Sequence, residues 1–198
     1  LEGGEAHVFS TPLIINKQTG VKFGKSESGA IWVSPEKTSP YQFYQFWLNT
    51  DDESAKDLIK IYTLLDRNTI EEAIEQHNNN PGSRILQKLL AYEVTKLIHG
   101  EERAEAVKNA SLFLFSKDNF KLTDDVTNIL ANELPNISIG QSLVDSLVDS
   151  QIAKSKGEAK RLIANGSVSV NGVKVTEDIT IDNISIIKKG KNSFALAK

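Results

Sequence analysis

Apolar residues recur every three or four positions through the middle of the chain, which predicts a run of helices between residues 38 and 133. Ser39 and Pro40 give the first helix an N-cap and a proline at its first position. Ser83 is expected to open the longest helix, which Gly100 ends. The aromatic residues of the first helix are interpreted as core, because large rings dominate core burial. They are Tyr41, Phe43, Tyr44, Phe46 and Trp47.

The remaining helices of this run have local start signals of their own. Asp51 or Asp52 can cap the second helix, and "TIEEAIEQHNNN" is the third. "EERAEAVKNASLFLF" carries acids in its first turn, where the helix dipole favours them. "TDDVTNILANEL" is a short sixth helix. Before this run, residues 1–37 contain only short extended pieces, too little to fold alone, and we expect them to be the end of a larger domain.

After Leu134-Pro135-Asn136, which is interpreted as a linker, the pattern changes. "SLVDSLVDS" predicts an amphipathic helix, and in the next helix Ser155 and Glu158 form a capping box. Gly166 ends that helix. Alternating residues flank Asn171-Gly172, which predicts a β-hairpin, and "ITIDNISIIKKGKNSFALA" predicts a further strand pair. The segment 137–198 is therefore a helix-helix-hairpin module.

The charge of the chain is split between its two ends. The net charge is −3, but residues 151–198 hold nine Lys or Arg against four Asp or Glu, which gives +5, and the first 150 residues carry 14 against 22, which gives −8. A basic tail on an acidic body indicates a polyanion as the partner of the tail.

The predicted helix from Ser155 to Asn165 carries part of this basic excess. At about 100° per residue, Ala159, Leu162 and Ile163 fall on one buried stripe. The arc that adjoins this stripe, from about 0° to 140° with Lys156 at zero, is called the basic face below, and an RNA backbone could lie against it because small residues stand in its middle. It consists of Lys156, Lys160 and Arg161, extended by Lys154. A solvated helix face is the alternative.

Composition excludes several other classes of protein and site. The 198 residues contain no cysteine, so disulfides and thiolate metal sites are absent. No apolar run approaches the ~20 residues that a membrane span needs, and the start is no signal peptide. His7, His77 and His99 share no metal-ligand spacing. The chain contains no methionine, so we expect a fragment or a processed product.

Two lysines stand close together in the glycine-containing turn Lys22-Phe23-Gly24-Lys25-Ser26. The phosphate-binding Walker A motif does not fit, since only three residues separate Gly20 from Gly24 and the following segment does not predict the helix that such a motif opens. From the pentapeptide alone, an exposed basic turn is the favoured interpretation.

Three blocks of sequence change that interpretation. "KFGKSESGAIWVSPEKTSPYQFYQFWLNT" resembles the stretch around the signature lysine loop, K-M-S-K-S, of bacterial tyrosyl-tRNA synthetases, although Phe23 and Gly24 depart from the general pattern. "LAYEVTKLIHGEE" resembles a helix end of the anticodon-binding domain in that family, and "SKGEAKRLIANGSVSVNGVKV" resembles a small RNA-binding module of ribosomal-protein type. The three blocks stand in the family's order.

The resemblance implies a multi-domain α+β fragment of a tyrosine–tRNA ligase. Residues 1–37 would be the end of a Rossmann-type catalytic domain, 38–133 an α-helical anticodon-binding domain and 137–198 a small α/β-hairpin RNA-binding domain. The H-x-G-H motif of class I synthetases is missing, so this piece alone is expected to be inactive. A homodimeric complete enzyme in the cytoplasm, without a membrane partner, is implied, and a monomer is possible for this piece.

The resemblance also assigns roles and partners. Lys22 and Lys25 would be catalytic, with Lys25, Gly24 and Ser26 binding ATP, whose Mg²⁺ would be held mainly by the missing half. The partners implied are tRNA(Tyr) and, in the complete enzyme, tyrosine and ATP. A non-catalytic RNA-binding protein that reuses the same modules stays open as an alternative, whereas a helical protein–protein scaffold is disfavoured by the basic module.

Overall fold

The computed structural model of the protein describes residues 7–10, 13–15, 31–115 and 122–198. The chain divides into two units, Leu1–Gly100 and Glu101–Lys198. Both helices and strands are present, so the fold is of mixed helix and sheet content. The division into domains at 1–37, 38–133 and 137–198 stays a prediction.

Three of the helices described in the first unit have side-chain N-caps. Ser39, Asp51 and Asp66 each accept a hydrogen bond from the backbone N–H three residues further on, which satisfies one of the open donors at a helix start. The capping predicted at Ser39 and Asp51 is confirmed. The helices are α1 (Pro40–Leu48), α2 (Asp52–Tyr62), α3 (Arg67–Asn79) and α4 (Ile85–His99), with a 3₁₀ turn at Pro81–Ser83.

The core of this unit lies where α1, α2 and α3 pack against α4. Leu86 and Leu90 of α4 are fully buried, and the rings of Phe43 and Trp47 meet edge to face with their centroids 6.0 Å apart. The core interpretation of the aromatic cluster is confirmed for its four buried members, which are Tyr41, Phe43, Tyr44 and Trp47; Phe46 is only half-buried.

The prediction that Ser83 opens α4 is wrong. Pro81 begins a 3₁₀ turn, and the Ser83 hydroxyl donates to the Asn80 carbonyl at 2.7 Å, so it is not directed at the start of α4. Arg84 stands at the N-cap position in the left-handed region, with φ at 54°, and its side chain does not cap the helix. Its guanidinium donates instead to the carbonyl of Leu48, at the end of α1. Gly100 ends α4 with φ at 89°, as predicted.

The second unit contains four helices and seven short strands in its described residues. The helices are α5 (Glu101–Phe115), α6 (Asp124–Glu133), α7 (Leu143–Asp149) and α8 (Lys156–Ala164). The strands are β1 (Asn136–Ile137), β2 (Gln141–Ser142), β3 (Val168–Val170), β4 (Val173–Val175), β5 (Thr180–Ile181), β6 (Ser185–Lys189) and β7 (Ser193–Ala197). Five strands form one sheet in the order β1-β7-β6-β3-β4, and β2 pairs with β5.

Both predicted strand pairs are confirmed. Strands β3 and β4 join through Asn171 and Gly172, whose φ angles of 49° and 83° are those of a two-residue hairpin turn. Strands β6 and β7 pair antiparallel. The linker interpretation of Leu134-Pro135-Asn136 is wrong for Asn136, because this residue belongs to β1 and pairs parallel with Leu196 of β7. The N–H of Leu196 also donates to the Pro135 carbonyl at 2.9 Å.

Helices α7 and α8 share an apolar core with residues of the sheet. Leu143, Leu147 and Ile187 are fully buried in this core. The stripe predicted on α8 is confirmed, because Ala159 and Ile163 are buried in the same cluster and Leu162 packs against it. The side of α8 that carries Lys160 and Arg161 is thereby turned away from the core.

Strand β7 also contacts the end of α5. The rings of Phe194 and Phe115 meet edge to face at 5.5 Å between centroids. The Lys188 ammonium lies 5.0 Å from the Phe194 ring centroid and donates to the Leu114 carbonyl at 3.0 Å. The last turn of α5 is therefore held against the sheet by an aromatic pair and a charged hydrogen bond.

Candidate nucleic-acid interface

Two turns fix the position of α8. At its start, the Ser155 hydroxyl oxygen accepts the N–H of Glu158 at 3.2 Å. The other half of the predicted capping box is wrong, because the Glu158 carboxylate accepts the N–H of Lys154 at 2.9 Å, one residue before Ser155. This bond, with the nearby charges of Lys189 and Lys154, lowers the pKa of Glu158. At the end of the helix, Gly166 adopts a φ of 61° and its N–H donates to the Ile163 carbonyl.

The four predicted basic residues are exposed side by side. Lys156, Lys160 and Arg161 lie on the solvent side of α8, and Lys154 is exposed just before the helix begins. Gly157 and Ala164, the small residues predicted in the middle of the basic face, are exposed as well. The structure therefore brings together all four residues that the sequence assigned to RNA binding.

One of the four is already engaged with a carboxylate. The Lys156 ammonium lies 2.6 Å from the Asp145 carboxylate of α7, with side-chain exposures of 70% and 42%. This hydrogen bond raises the pKa of Lys156 and, together with a bond to Ser142, lowers the pKa of Asp145. Asp149, one turn further along α7, adds to the attraction on Lys156. The sequence reasoning missed Asp145, although the four-residue spacing of the two acids places them on one face of α7.

Four other cations of the module differ in whether the fold already uses them. Lys188 and Lys189 are used inside the fold, since their ammonium groups donate to the carbonyls of Leu114 and Ile152 at 3.0 Å each. Lys160 and Arg161 form no ion pair or side-chain hydrogen bond within residues 122–198 or the other described stretches. An ammonium and a guanidinium of this kind are suited to bind phosphate oxygens. Lys160 and Arg161 are therefore the two cations of the basic face on α8 that can bind a phosphate without breaking an ion pair.

The predicted ATP-binding turn cannot be placed in the same way. Lys22, Gly24, Lys25 and Ser26 lie outside the described residues. In the part of the chain that the structure describes, none of the helices has both the length and the apolar character of a membrane span.

Comparison with known proteins identifies the family. The profile of class I tRNA synthetases (W and Y) matches residues 4–116. The chain belongs to this class I tRNA synthetase family. A second profile, of the tyrosine–tRNA ligase SYY-like C-terminal domain, matches residues 125–197, which include the whole of α8. The resemblance to the tyrosyl-tRNA synthetases drawn from the three sequence blocks is thereby confirmed.

Curated tyrosyl-tRNA synthetases resemble the chain over nearly all of its length. Tyrosine–tRNA ligase 2 of Bacillus anthracis is 41% identical over 211 aligned positions, covering 100% of this chain and 50% of that protein. Tyrosine–tRNA ligase of Flavobacterium psychrophilum is 40% identical over 207 positions, covering 98% of this chain and 47% of that protein. The chain thus spans about half the length of these relatives and matches their C-terminal half.

Proposed function

We propose that the chain is the C-terminal portion of a cytoplasmic tyrosine–tRNA ligase, which activates tyrosine with ATP and transfers it to tRNA(Tyr). The exposed basic face of α8 carries this proposal, because it lies within the domain that matches the tyrosine–tRNA ligase C-terminal profile. A non-catalytic RNA-binding protein is disfavoured, since residues 4–116 match the synthetases themselves.

Each proposed domain has its own function, and the domains follow one another along the chain. Residues 1–37 complete a Rossmann-type catalytic domain, 38–133 form the anticodon-binding domain and 137–198 form the small RNA-binding domain. Dimerisation through the other half of the enzyme is part of this proposal. The match of the first profile to residues 4–116 and of the second to residues 125–197 supports the order.

In the complete enzyme, Lys25 and Lys22 would act on ATP. Attack of the tyrosine carboxylate on the α-phosphate builds negative charge on the leaving pyrophosphate, and cations on a turn that closes over it stabilise that charge. Gly24 would let the backbone approach the phosphates, and Ser26 would take part in binding ATP. Mg²⁺ would accompany the ATP and would be held mainly by the other half of the enzyme, since the described residues contain no group of three or more His, Cys, Asp or Glu side chains that could hold it.

The basic face would hold the tRNA by its sugar–phosphate backbone. Lys160 and Arg161 present positive charge on either side of Gly157 and Ala164, where the absence of long side chains leaves room for a strand of RNA. Contacts of this kind position the RNA without reading its sequence. The tRNA sequence should therefore have little influence on binding at α8.

Replacing Lys156, Lys160 and Arg161 together by alanine tests the RNA-binding role. We expect weaker tRNA binding and a flatter dependence of log K on log salt, by up to ~0.9 units for each phosphate that the variant no longer neutralises. The measurement is tRNA affinity over a salt series, with circular dichroism to confirm the fold.

The matched control for that experiment removes three other exposed cations of the same module, Lys174, Lys191 and Lys198, and so changes the net charge equally. An α8 variant that stays folded with an unchanged salt slope would place the RNA elsewhere. An equal effect from the control would mean that the module acts through its overall charge.

Replacing Lys25 by alanine in the complete enzyme tests the catalytic role. We expect adenylate formation to slow by the equivalent of about 2–4 kcal/mol, because the variant lacks a cation positioned at developing charge. Tyrosine binding should change far less, which pre-steady-state kinetics resolves. Lys17→Ala, the same charge change earlier in the segment, serves as the control. A normal adenylation rate with weakened tyrosine binding would reject the assignment.

A further inference from the structure

The carboxylates of α7 border the basic face on one side. Asp145 and Asp149 are separated by one helical turn, and both act on Lys156, the first through a 2.6 Å contact and the second through its charge. The other side of Lys160 presents Ala164, Gly157 and Arg161, and the acid that follows them around the helix, Glu158, accepts the N–H of Lys154 and lies 3.7 Å from the Lys189 ammonium. The basic face is therefore electrostatically uneven.

The order of residues around α8 shows which of the basic residues lies next to the acids of α7. With Lys156 at zero and about 100° per residue, Lys160 lies near 40°, Ala164 near 80°, Gly157 near 100° and Arg161 near 140°. Lys156 thus stands at the edge of the face that is next to α7. Lys160 and Arg161 bracket the two small residues.

We propose that the RNA backbone lies between Lys160 and Arg161, and that the ion pair with Asp145 keeps Lys156 from binding the RNA. The acidic side of α7 is then the edge of the RNA-binding surface. This proposal rests on the RNA-binding role of α8 given above. It removes Lys156 from the set of phosphate contacts and gives Asp145 a positioning role that sequence reasoning did not assign.

Counterion release supplies the physical reason. A lysine whose charge is matched by a carboxylate at 2.6 Å forms a neutral pair, and its contact with a phosphate releases little of the counterion atmosphere of RNA. The phosphate would also have to approach two carboxylates within the ~8 Å over which charges act at physiological salt. Lys160 and Arg161 have no ionic partner in the described parts of the chain, and the carboxylate three residues before Arg161, Glu158, is held by the N–H of Lys154 and lies 3.7 Å from the Lys189 ammonium.

The surface between Lys160 and Arg161 is open to a close approach. A methyl group built at Gly157 would come within 4 Å of only one neighbouring side chain among the described residues, the Ser155 hydroxyl at 3.9 Å. Room of this kind is needed for a sugar–phosphate backbone to bring its oxygens within hydrogen-bond reach of both cations.

Single substitutions in the full chain test the proposal through the salt dependence of tRNA binding. We expect Lys160→Ala and Arg161→Ala each to lower the magnitude of the slope by up to ~0.9, and Lys156→Ala to leave it unchanged. Asp145→Asn keeps the shape of the side chain but frees Lys156, so the slope should steepen by up to ~0.9 and affinity should rise. Adding Lys156→Ala to Asp145→Asn should return the salt slope and the tRNA affinity to their wild-type values.

Glu177→Gln is the charge-matched control for Asp145→Asn. Glu177 is exposed in the loop after β4 and forms no ion pair with any described residue. If Glu177→Gln steepened the slope as much as Asp145→Asn, or if Lys156→Ala lowered it as much as Lys160→Ala, the proposal would be overturned while RNA binding by α8 stood. If the triple alanine variant kept the wild-type slope, both this proposal and the RNA-binding role of α8 would be rejected.

Discussion

The carboxylate of Asp66 shows how much a single side chain does at a helix start. It accepts the N–H of Thr69 at 3.0 Å and the hydroxyl of the same residue at 2.7 Å. These bonds favour the ionised form and lower the pKa of Asp66, with the bond from the backbone N–H contributing most. Because the pKa is lower in the folded state, the stabilisation is present above the unfolded value of about 3.8 and is lost as pH falls through the folded value.

We therefore expect Asp66→Asn to reduce the loss of stability in acid. Asparagine caps helices about as well as aspartate but does not titrate in this range, so stability at pH 7 should stay close to that of the wild type. Urea unfolding at pH 7 and at pH 3 measures both values. Glu72→Gln, on the exposed side of the same helix, is the control. An acid loss in Asp66→Asn equal to that of the wild type would show that the cap does not titrate.

At the scale of single residues, the sequence predicted burial well, but it did not predict which side chains form ion pairs or hydrogen bonds with one another. Ala159 and Ile163 were placed correctly because the helical period alone decides which face they share. The pairing of Lys156 with Asp145 depends on how α7 and α8 pack, and no local pattern encodes it. The same holds for Lys188, whose partner carbonyl is on α5.

Whole elements were predictable where their signals are local. The capped helices α1, α2 and α8 and the Asn171-Gly172 hairpin carry start, stop or turn residues within a few positions of their ends. Strands β1 and β2 were missed because each has two residues, too few to show an alternation. Their partners are also distant in sequence: Asn136 pairs with Leu196, and Gln141 with Ile181. Strand β5 lies within the segment predicted as a strand pair, but it pairs with β2.

Helix α8 offers a substitution that should separate helix stability from RNA binding. Gly157→Ala should stabilise the helix, because alanine loses less conformational freedom on folding and the site has room for a methyl group. Since Gly157 is the second residue of α8, the gain should not exceed the about 0.5–1 kcal/mol of a helix interior. The same methyl group would stand between Lys160 and Arg161, so tRNA binding should weaken although both charges remain. Thermal unfolding and tRNA titration give the two readouts. A more stable variant with unchanged affinity would show that the RNA does not approach Gly157.

At the scale of the whole molecule, the contact between Phe115 and Phe194 links α5 to the sheet within the second unit. A double-mutant cycle of Phe115→Ala and Phe194→Ala should give a coupling of about 0.5–1.5 kcal/mol, as edge-to-face aromatic pairs do. Urea unfolding supplies the four stabilities. As a control, Phe115→Ala should add to Val175→Ala, whose side chain packs against the α7–α8 core. Additivity in both pairs would mean that the two rings do not stabilise each other.

The parallel pairing of β1 with β7 has a consequence for folding during synthesis on the ribosome. Strand β7 lies between β1 and β6, yet it is the last strand of the sheet to be synthesised. The nascent chain can form the helices and the β3–β4 hairpin early, because their contacts are local, whereas β1 has no partner in this sheet until residues 193–197 have left the exit tunnel. Closing so long a loop is slow compared with forming a helix. Until then the edge of β6 that pairs with β7 stays open to chaperones and to neighbouring nascent chains.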